Sequence, residues 1–577
     1  MGLPGLGRRR GMFTFAVTAA VGTVLAAGVA AIGVPASSAG ALPGIVQTWS
    51  VTLNDTGAPI ALSSPVVAQM PGGPAAVVGD RAGHVYAAYL SSGAEVPGWP
   101  VNTGGVPVDS PPSVGAGLIY FGVGNAADPH QGGTWAVNPA GDVVWTHIET
   151  DPVYNNYQAN GSSAGMTVAS LQGQTAVVSP SLGQNENLYS ATSGSELPGF
   201  PWFQADTNFA TAAVGDVLGN NQNQIVEGGA STAGIAFGQT YTGGGHLRIL
   251  NQNGALGQPQ PNDGLYCEYN TNQDVISSPA IGTFLGGGQI GIVSGTGDDA
   301  AYNGNSQTDT LLAINKSCQL VWSDKLDGDT SDSPALADVL GNGGLQVIEG
   351  TRNGASGTVY AVNGATGQII WQSTVMGPVF GGVTTADLFN QGYQDVLVPT
   401  AAGVEILDGR TGQEVETLES GVGVQSSPLV TSDPNGTIGI TIAGYNGSNQ
   451  GVIEHFEVQG SNGSNVNETG AWPEFHHDPS LSGNAGTPPP VVAVPCNAPA
   501  GGPNGYWLTA QDGGLFTFGN LPYCGSTGNI TLNAPIVGSA PTHDGGGYWM
   551  VGADGSVFSF GDAGSYGSMA GVHLNQP

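Results

Sequence analysis

A turn of small residues followed by a short apolar strand recurs eight times in this chain, about every fifty residues, and this repetition constrains the fold more than any other feature. Each turn is followed by a β-branched run, a glycine and a strand that ends near Tyr-Ala or its equivalent. Period-2 alternation between Gly and Asn turns predicts strands throughout, with no helix of normal length. The eight turns are 63–65, 109–111, 162–164, 210–212, 277–279, 332–334, 381–383 and 426–428.

Tryptophan spacing gives an independent measure of the period. Successive spacings are 50, 46, 57, 120, 49 and 101 residues, so the two long gaps equal two periods with one indole missing. A four-stranded unit of this length cannot bury both faces alone, whereas a radial arrangement of such sheets does so. We predict an all-β fold, an eight-bladed β-propeller over residues 42–482, with seven blades as the alternative. The tryptophans are Trp49, Trp99, Trp145, Trp202, Trp322, Trp371 and Trp472.

Closure of the ring is also predicted. The segment from Ile45 to Val51 reads as an outer strand that precedes the first complete unit. We expect it to pair with the last unit, between Ile438 and Val458, because joining the chain ends in one sheet removes an exposed edge.

The first 41 residues have the features of a cleavable signal peptide. Arg8 to Arg10 precede an apolar run of 23 residues, and small residues lead to Ala41. The alternative is an uncleaved anchor, since 23 apolar residues can span a bilayer. Arg9 and Arg10 also leave open twin-arginine export rather than the general secretory route. We expect a secreted or cell-surface protein with no membrane span after cleavage.

Charge excludes some partners. From residue 42 onward there are six basic and 42 acidic residues, a formal charge of −36. Such a surface repels phosphate backbones and anionic lipid headgroups, so nucleic acid is not an expected partner. The expected partner is a protein or a polysaccharide at the cell surface.

Four cysteines are compatible with disulfides in an oxidising compartment. Cys496 with Cys524 and Cys267 with Cys318 are the pairs we expect, although four cysteines allow three connectivities. The alternative is four buried thiols. Neither a CxxC motif nor adjacent cysteines occur, so the sequence gives no support for a metal-thiolate or dithiol redox site.

The unit from Ala361 to Trp371 resembles the tryptophan-docking repeat of PQQ-like, quinoprotein-type propellers, and weaker copies end at Trp145 and Trp322. The resemblance covers roughly residues 45 to 480. In that family the indole docks between blades, so the motif implies a fold and not a cofactor. Quinoprotein dehydrogenases add a vicinal cysteine pair, which this chain lacks, so PQQ is not an expected cofactor.

A second resemblance is to the FG-GAP or VCBS repeats of integrin-type propellers, whose Asp-rich loops bind calcium. The corresponding positions here are Asp216 with Asn220, Asp338 with Asn342, and Asp387. Leucine or phenylalanine replaces the second acidic ligand in each loop. Calcium needs six to eight oxygen ligands, so we expect turns that have lost the ion, with retained calcium as the alternative.

The stretch from Ala471 to Asp478, Ala-Trp-Pro-Glu-Phe-His-His-Asp, resembles the tail that ends such repeat arrays. His476, His477 and Asp478 are the one cluster that suggests metal or acid-base chemistry. Adjacent histidines on an extended segment point to opposite sides, so we expect a structural tail and no metal or catalytic residue here.

A different repeat follows a Pro-rich linker at residues 483–490. The Gly-Tyr-Trp stretches at Gly505 and Gly547 are offset by 42 residues and resemble tandem repeats at the C-termini of secreted bacterial proteins. We expect a two-unit β-repeat module at residues 491–577. Its Trp and Phe side chains are expected in a core, with an exposed carbohydrate-binding face as the alternative.

Three functions remain open. The first is a non-catalytic binding scaffold that uses loops on one face. The second is an extracellular propeller enzyme, either a glycoside hydrolase or lyase or a quinoprotein-type oxidoreductase. At least three ionisable groups with shifted pKa values at the channel mouth would favour the enzyme. The third is a surface or matrix protein anchored by its C-terminal repeats.

Overall fold

The structure is a computed structural model. It describes residues 44–125, 128–148, 161–204, 208–230, 245–254, 264–297, 307–330, 333–418, 421–467 and 470–486, and in the C-terminal segment 505–511, 513–519, 521, 534–543, 545–561 and 563. The signal peptide predicted at 1–41, Cys496 and Cys524 lie outside the described residues. The described part contains strands, turns and one short 3₁₀ helix, Gly463–Asn467, and no α-helix.

Eight four-stranded antiparallel sheets make up the repeat array, as many sheets as the sequence has repeat starts. The first four sheets contain β2 (Val66–Met70), β3 (Gly73–Gly79), β4 (His84–Tyr89) and β5 (Val101–Asn102); β6 (Ser113–Gly115), β7 (Leu118–Asn125), β8 (Asp128–Val137) and β9 (Val143–His147); β10 (Thr167–Leu171), β11 (Gln174–Pro180), β12 (Asn185–Ser190) and β13 (Trp202–Phe203); β14 (Ala213–Gly215), β15 (Gln224–Ala230), β16 (Gly245–Asn251) and β17 (Leu265–Asn270). The next three contain β18 (Ala280–Leu285), β19 (Gln289–Gly295), β20 (Thr310–Asn315) and β21 (Leu320–Lys325); β22 (Ala335–Ala337), β23 (Gln346–Gly350), β24 (Gly357–Asn363) and β25 (Ile369–Val375); β26 (Thr384–Ala386), β27 (Asp395–Thr400), β28 (Gly403–Leu407) and β29 (Glu414–Leu418). The eighth contains β30 (Leu429–Ser432), β31 (Ile438–Tyr445), β32 (Gly451–Val458) and β1 (Ile45–Thr52).

The ring closes as the sequence predicted. β1 pairs antiparallel with β32, from Ile45 opposite Val458 to Thr52 opposite Val452. The first strand of each sheet, from β2 to β30 in steps of four, contacts the first strand of the next sheet, and β30 contacts β2. The eight first strands therefore surround one axis, and the apolar core lies between neighbouring sheets.

The small-residue turns join neighbouring sheets through buried hydroxyl groups. Ser63 Oγ donates to the Ser110 carbonyl oxygen at 2.9 Å, and Ser110 Oγ donates to the Ala164 carbonyl oxygen at 2.7 Å. At the closure, the Ser427 N–H donates to Ser64 Oγ at 2.9 Å. The recurring serine is therefore explained by an inter-sheet hydrogen bond, which also satisfies backbone groups that have no ladder partner.

Aromatic docking holds the outer parts of neighbouring sheets together. The indole Nε1 groups of five tryptophans donate to main-chain oxygens in the last turn of the following sheet, at 2.7 to 3.2 Å. The ring lies so close to that turn that a Cβ built on Gly412 would be 2.5 Å from Trp371. The pairs are Trp49 with Leu90, Trp99 with Pro139, Trp145 with Ala191, Trp322 with Gly364, and Trp371 with Gly409.

Two tryptophans used in the spacing argument, Trp202 and Trp472, do not dock between sheets. In the third sheet the docking position belongs to Phe200, which approaches Gly254 in the next sheet, and Trp202 instead lies under the guanidinium of Arg248. Trp472 lies beyond the last strand and is buried at the ring axis. At the third sheet the tryptophan spacing still gave the repeat length, because Trp202 lies only two residues from the docking position.

A disulfide replaces the missing indole between the fourth and fifth sheets. Cys267 pairs with Ile249 directly before a bulge, the register position that Trp322 and Trp371 occupy in their own sheets. Its partner is Cys318, which has φ of +54° in a turn where other sheets place glycine against the indole. The predicted Cys267–Cys318 bridge is thus confirmed, and it occupies a docking site.

The seventh sheet has no docking aromatic for a topological reason. The outer strand of the eighth sheet is β1, which comes from the N-terminal end of the chain, so no turn joins β32 to it. A side chain from β29 would have no such turn to dock on, and Glu416 occupies the register position before the bulge.

The C-terminal repeats form two small antiparallel sheets. One contains β33 (Gly505–Thr509) and β34 (Leu515–Gly519), and the other contains β35 (Ile536–Pro541), β36 (Gly547–Gly552) and β37 (Val557–Gly561). Trp507, Phe558 and Phe560 pack against a cluster formed by Leu515, Ile536, Tyr548 and Met550. These aromatic side chains therefore contribute to a core, as predicted.

Replacing Trp371 by Ala should lower the free energy of unfolding by about 3 kcal/mol, since it removes a buried aromatic. Trp371→Phe should lower the free energy of unfolding through the smaller packed ring. It should lower it by about 1 kcal/mol more because the 2.7 Å hydrogen bond from the indole to the Gly409 oxygen is lost. Urea denaturation measures both. A Trp371→Ala protein as stable as the parent would contradict a stabilising role for docking.

Exchanging the disulfide for an indole tests whether the two are equivalent. Cys267→Ala with Cys318→Gly should lower stability by about 4 kcal/mol, the chain-entropy value for a loop of 51 residues. Cys267→Trp with Cys318→Gly should restore part of that loss by docking, as measured by thermal unfolding of the two variants side by side. Equal stability of the two variants would contradict the proposed equivalence.

Candidate functional site

The axis of the ring is occupied by the chain's own tail, residues 470–485. Tail carbonyl oxygens accept hydrogen bonds from N–H groups on or directly after the first strands, at 2.5 to 2.9 Å, and the contacts pass once round the ring in sheet order. In the first sheet the Val67 N–H donates to the Glu474 carboxyl. The remaining donors and acceptors are Asp338 to Gly470, Thr385 to Trp472, Val430 to Pro473, Val114 to Pro479, Val168 to Ser480, Val214 to Ser482 and Ile281 to Gly483.

This tail extends further than the sequence suggested. Gly483 and Ala485, which were expected to belong to the linker, both bond to Ile281 of β18. The described residues therefore carry the axial segment three residues past the predicted end of the propeller at residue 482.

Ionisable groups in the tail are buried and have shifted pKa values. Burial raises the pKa of Glu474 well above its usual range, and the nearby Asp478 adds to this. Burial would also raise the pKa of Asp478, but hydrogen bonds from His477, Ser480 and Ser482 lower it overall. Asp478 is thus an ionised carboxylate that organises the turn around it, through the Ser480 N–H at 2.9 Å and the Ser482 Oγ at 2.5 Å.

The two histidines do not lie on an extended segment, so that prediction is wrong. His476 and His477 have φ of +56° and +83°, a left-handed turn. His476 contacts two carbonyl oxygens, Leu481 at 2.7 Å and Pro279 at 2.9 Å, and burial lowers its pKa although two acceptors favour the protonated ring. His477 contacts Asp478 and packs against Trp472.

These four residues meet one criterion for an active site and fail another. Three of them, Glu474, His476 and Asp478, have shifted pKa values, as catalytic groups often do. Their exposed fractions are 3%, 0% and 1%, however, so a substrate would have to displace the tail to reach them. Their polar contacts hold the tail against the inner strands, which is a structural role.

The three candidate calcium loops are built on Asp216, Asp338 and Asp387. Both oxygens of each carboxylate accept backbone N–H groups four and five residues further on, at 2.7 to 3.0 Å. Asn220 and Asn342 supply two of these N–H groups, and their side-chain oxygens accept the Gln222 and Gly344 N–H groups. The carboxylates therefore stabilise Asx-type turns.

Eight residues after each loop aspartate, a second side chain completes the turn. In two loops it is glutamine: the Gln346 oxygen accepts the Leu340 N–H, and its amide nitrogen donates to the Gly344 carbonyl oxygen at 2.7 Å. In the third loop it is Asp395, whose Oδ2 accepts the Leu388 N–H while Oδ1 is buried without a hydrogen-bond partner. Burial, with smaller contributions from the charges of Asp387 and Asp408, raises the pKa of Asp395 to about 8.

A buried charged network in the fourth sheet was not found from the sequence. Arg248 on β16 lies between Glu227 on β15 and Glu268 on β17, at 3.2 and 3.3 Å, and stacks over Trp202 at 5.3 Å. Burial raises the pKa of Glu227, and Arg248 opposes that shift. Register explains the network, because Glu227, Arg248 and Glu268 are directly opposite one another. The signal available in the sequence was a rare arginine within a strand.

Known proteins share the fold of this chain at low sequence identity. No known family profile matches the chain, and no curated protein matches it. A quinohemoprotein alcohol dehydrogenase from Pseudomonas putida HK5 matches with a TM-score of 0.51 and 12% identity, over 72% of this chain and 76% of that one. The quinohemoprotein alcohol dehydrogenase from Comamonas testosteroni gives a TM-score of 0.50 and 12% identity, over 72% and 77%.

BamB from Moraxella catarrhalis matches with a TM-score of 0.46 and 14% identity, over 73% of this chain and 99% of that one. The two dehydrogenases support the β-propeller of PQQ-like type that the docking repeat predicted. At these identities the likeness concerns the fold alone.

The described residues include no helix with the length and hydrophobicity that a membrane span requires.

The raised pKa of Asp395 predicts a pH dependence of stability. The folded protein holds a proton that the unfolded chain releases above its ordinary pKa of 3.8, so stability should fall as pH rises from about 4 to about 8. Asp395→Asn keeps an acceptor and adds the N–H that glutamine supplies in the other loops. The free energy of unfolding of Asp395→Asn should therefore fall less as pH rises. At pH 8 it should exceed that of the parent by about 1 kcal/mol or more.

Urea denaturation of parent and Asp395→Asn at pH 4 and pH 8 measures this effect. The two proteins should differ little at pH 4, where Asp395 is largely protonated in both the folded and the unfolded parent, and this serves as the internal control. Parallel stability curves across the range would show that Asp395 does not hold the proton.

Proposed function

We propose that this chain is a secreted, non-catalytic β-propeller that serves as a binding scaffold for a protein or a polysaccharide at the cell surface. The observation that carries the proposal is the axial tail, which bonds to first strands all round the ring and fills the axis with buried side chains. An enzyme of this fold would use groups gathered at the axis, and here those groups are enclosed. Outer surfaces and loops remain for binding.

Exposed apolar residues on the outer strands support a partner that covers the rim. Directly before the docking indole, three strands carry pairs of apolar side chains that are 37% to 48% exposed. Single exposed apolar residues are ordinary, but paired ones repeated at one register position indicate a binding surface. We call these residues the rim pairs: Val143 and Val144, Leu320 and Val321, and Ile369 and Ile370.

Export is part of the proposal and rests on the N-terminal segment. The basic residues, apolar run and small residues up to Ala41 support cleavage and release to the outside of the cell. A disulfide between Cys267 and Cys318 agrees with an oxidising compartment. The C-terminal repeats, with Tyr506 57% exposed, would then assist attachment to the surface.

Binding of the mature protein to cell-wall fractions and to a glycan array tests the scaffold function. We expect saturable binding that is lost either when the fraction is treated with protease or when its polysaccharide is digested, which identifies the partner class. Absence of saturable binding to both materials would overturn the proposal. So would turnover of a wall polysaccharide by the purified protein.

Substitutions in the rim pairs test the location of the binding surface. Val144→Thr, Val321→Thr and Ile370→Thr together keep β-branched side chains but add a hydroxyl group to each apolar surface. We expect at least tenfold weaker binding with unchanged thermal stability. Met376→Thr is the matched control, since Met376 is 50% exposed and outside the rim pairs. Equal binding by both variants would show that the rim pairs do not contribute to binding.

A further inference from the structure

Three metal-ligating side chains lie together beside the first sheet. Asp55 follows β1, Asp80 follows β3, and His84 is the first residue of β4. One ligand atom from each lies within 4.8 Å of the others, and this is the one such group in the described part of the chain. His84 Nδ1 is 2.8 Å from Asp55 Oδ2 and 4.0 Å from Asp80 Oδ2.

Asp80 presents an unused oxygen to this group. Its Oδ1 accepts the N–H groups of Ala82 and His84, at 2.9 and 2.8 Å, which fixes the carboxylate in a turn. Its Oδ2 is buried and has no hydrogen-bond partner, and the side chain is 0% exposed. A buried oxygen with no donor is costly unless something else satisfies it.

His84 Nδ1, 4.0 Å away, is too far to satisfy that oxygen. His84 Nδ1 is also buried without a hydrogen bond of acceptable geometry, in spite of its short distance to Asp55. Asp55 and Asp80 present carboxylate oxygens to the same small space, where their negative charges repel each other. A cation placed between them would reverse this repulsion and would accept both oxygens and the imidazole nitrogen as ligands.

We propose that Asp55, Asp80 and His84 bind a divalent transition-metal ion of the zinc class. Imidazole nitrogen with carboxylate oxygen is a donor set that Zn²⁺ accepts, whereas calcium prefers oxygen ligands alone. Asp55 and His84 are 34% and 22% exposed, so an ion can enter from solvent and can keep a water ligand. The site is separate from the three loops that resemble calcium-binding repeats.

Neighbouring side chains define the outer part of the site. The Tyr86 hydroxyl donates to Asp55 Oδ2 at 2.7 Å and so orients that carboxylate. Asn102 Nδ2 lies 3.0 Å from His84 Nε2, while Asn102 Oδ1 accepts the Gly104 N–H. A neutral imidazole that accepts the Asn102 N–H at Nε2 carries its proton on Nδ1. Metal binding moves this proton to Nε2 and requires the exposed Asn102 side chain to turn.

This requirement gives a variant that should strengthen binding. Asn102→Asp places a carboxylate beside Nε2, where it can accept the proton and hold the ring for coordination through Nδ1. Carboxylate partners of metal-bound histidines change affinity by about 10- to 100-fold. A merely structural Asp55–His84 contact would not produce tighter zinc binding in Asn102→Asp.

Calorimetric titration of Zn²⁺ into the chelator-treated mature protein is the test. We expect one zinc per chain in the parent, binding at least tenfold weaker in Asp80→Asn and in His84→Asn, and tighter binding in Asn102→Asp. Asp142→Asn is the matched control and should bind as the parent does. Thermal unfolding without metal checks that each variant is folded, and the partly exposed His84 provides the readout if Asp80→Asn does not fold.

Three outcomes would overturn the proposal. These are no zinc binding by the parent, equal affinity in parent and His84→Asn, or Ca²⁺ binding at least as tight as Zn²⁺ binding. The result is independent of the scaffold function, since zinc binding is measured without any partner.

Discussion

Every first strand of a radial sheet has one edge that no other strand of the sheet covers, and the protein satisfies these edges with a single segment of its own chain. Residues 470–485 pass once round the axis and accept hydrogen bonds from N–H groups on or next to those strands. Buried backbone groups without partners are rare because they lose their hydrogen bonds to water and gain nothing in return. The ring, the buried ionisable cluster and the enclosed axis all follow from this arrangement.

Contacts between sheets are of three kinds, and two of them, the docked ring and the disulfide, replace one another. Hydroxyl groups of the small-residue turns bond across the inner part, as from Ser63 to Ser110. Aromatic rings dock on the turns of the outer part, and between the fourth and fifth sheets the bridge from Cys267 to Cys318 takes the place of a ring. Each sheet needs a neighbour to bury its faces, so stability is a property of the closed ring.

Much of the fold could be predicted from the sequence, because the repeat period and the turn residues are local signals. Closure through β1 was predicted for the same reason. The sequence could not distinguish Phe200 from Trp202 as the docking residue, since both are aromatic and two positions apart. It could not show the path of the tail, because the left-handed turn at His476 depends on contacts with distant strands. Asp55, Asp80 and His84 were missed because their proximity arises from register and ring closure and not from a spacing motif.

Hydrogen–deuterium exchange of the full-length protein, read by mass spectrometry on peptides that contain Val114, Val168, Val214, Ile281, Thr385 and Val430, tests the axial tail most directly. If the tail accepts these amides, all six should exchange slowly and to a similar extent, as amides within the central strands do. Exchange as fast as that of exposed turns would show that the axis is open to solvent and that the tail does not satisfy the inner edges of the sheets.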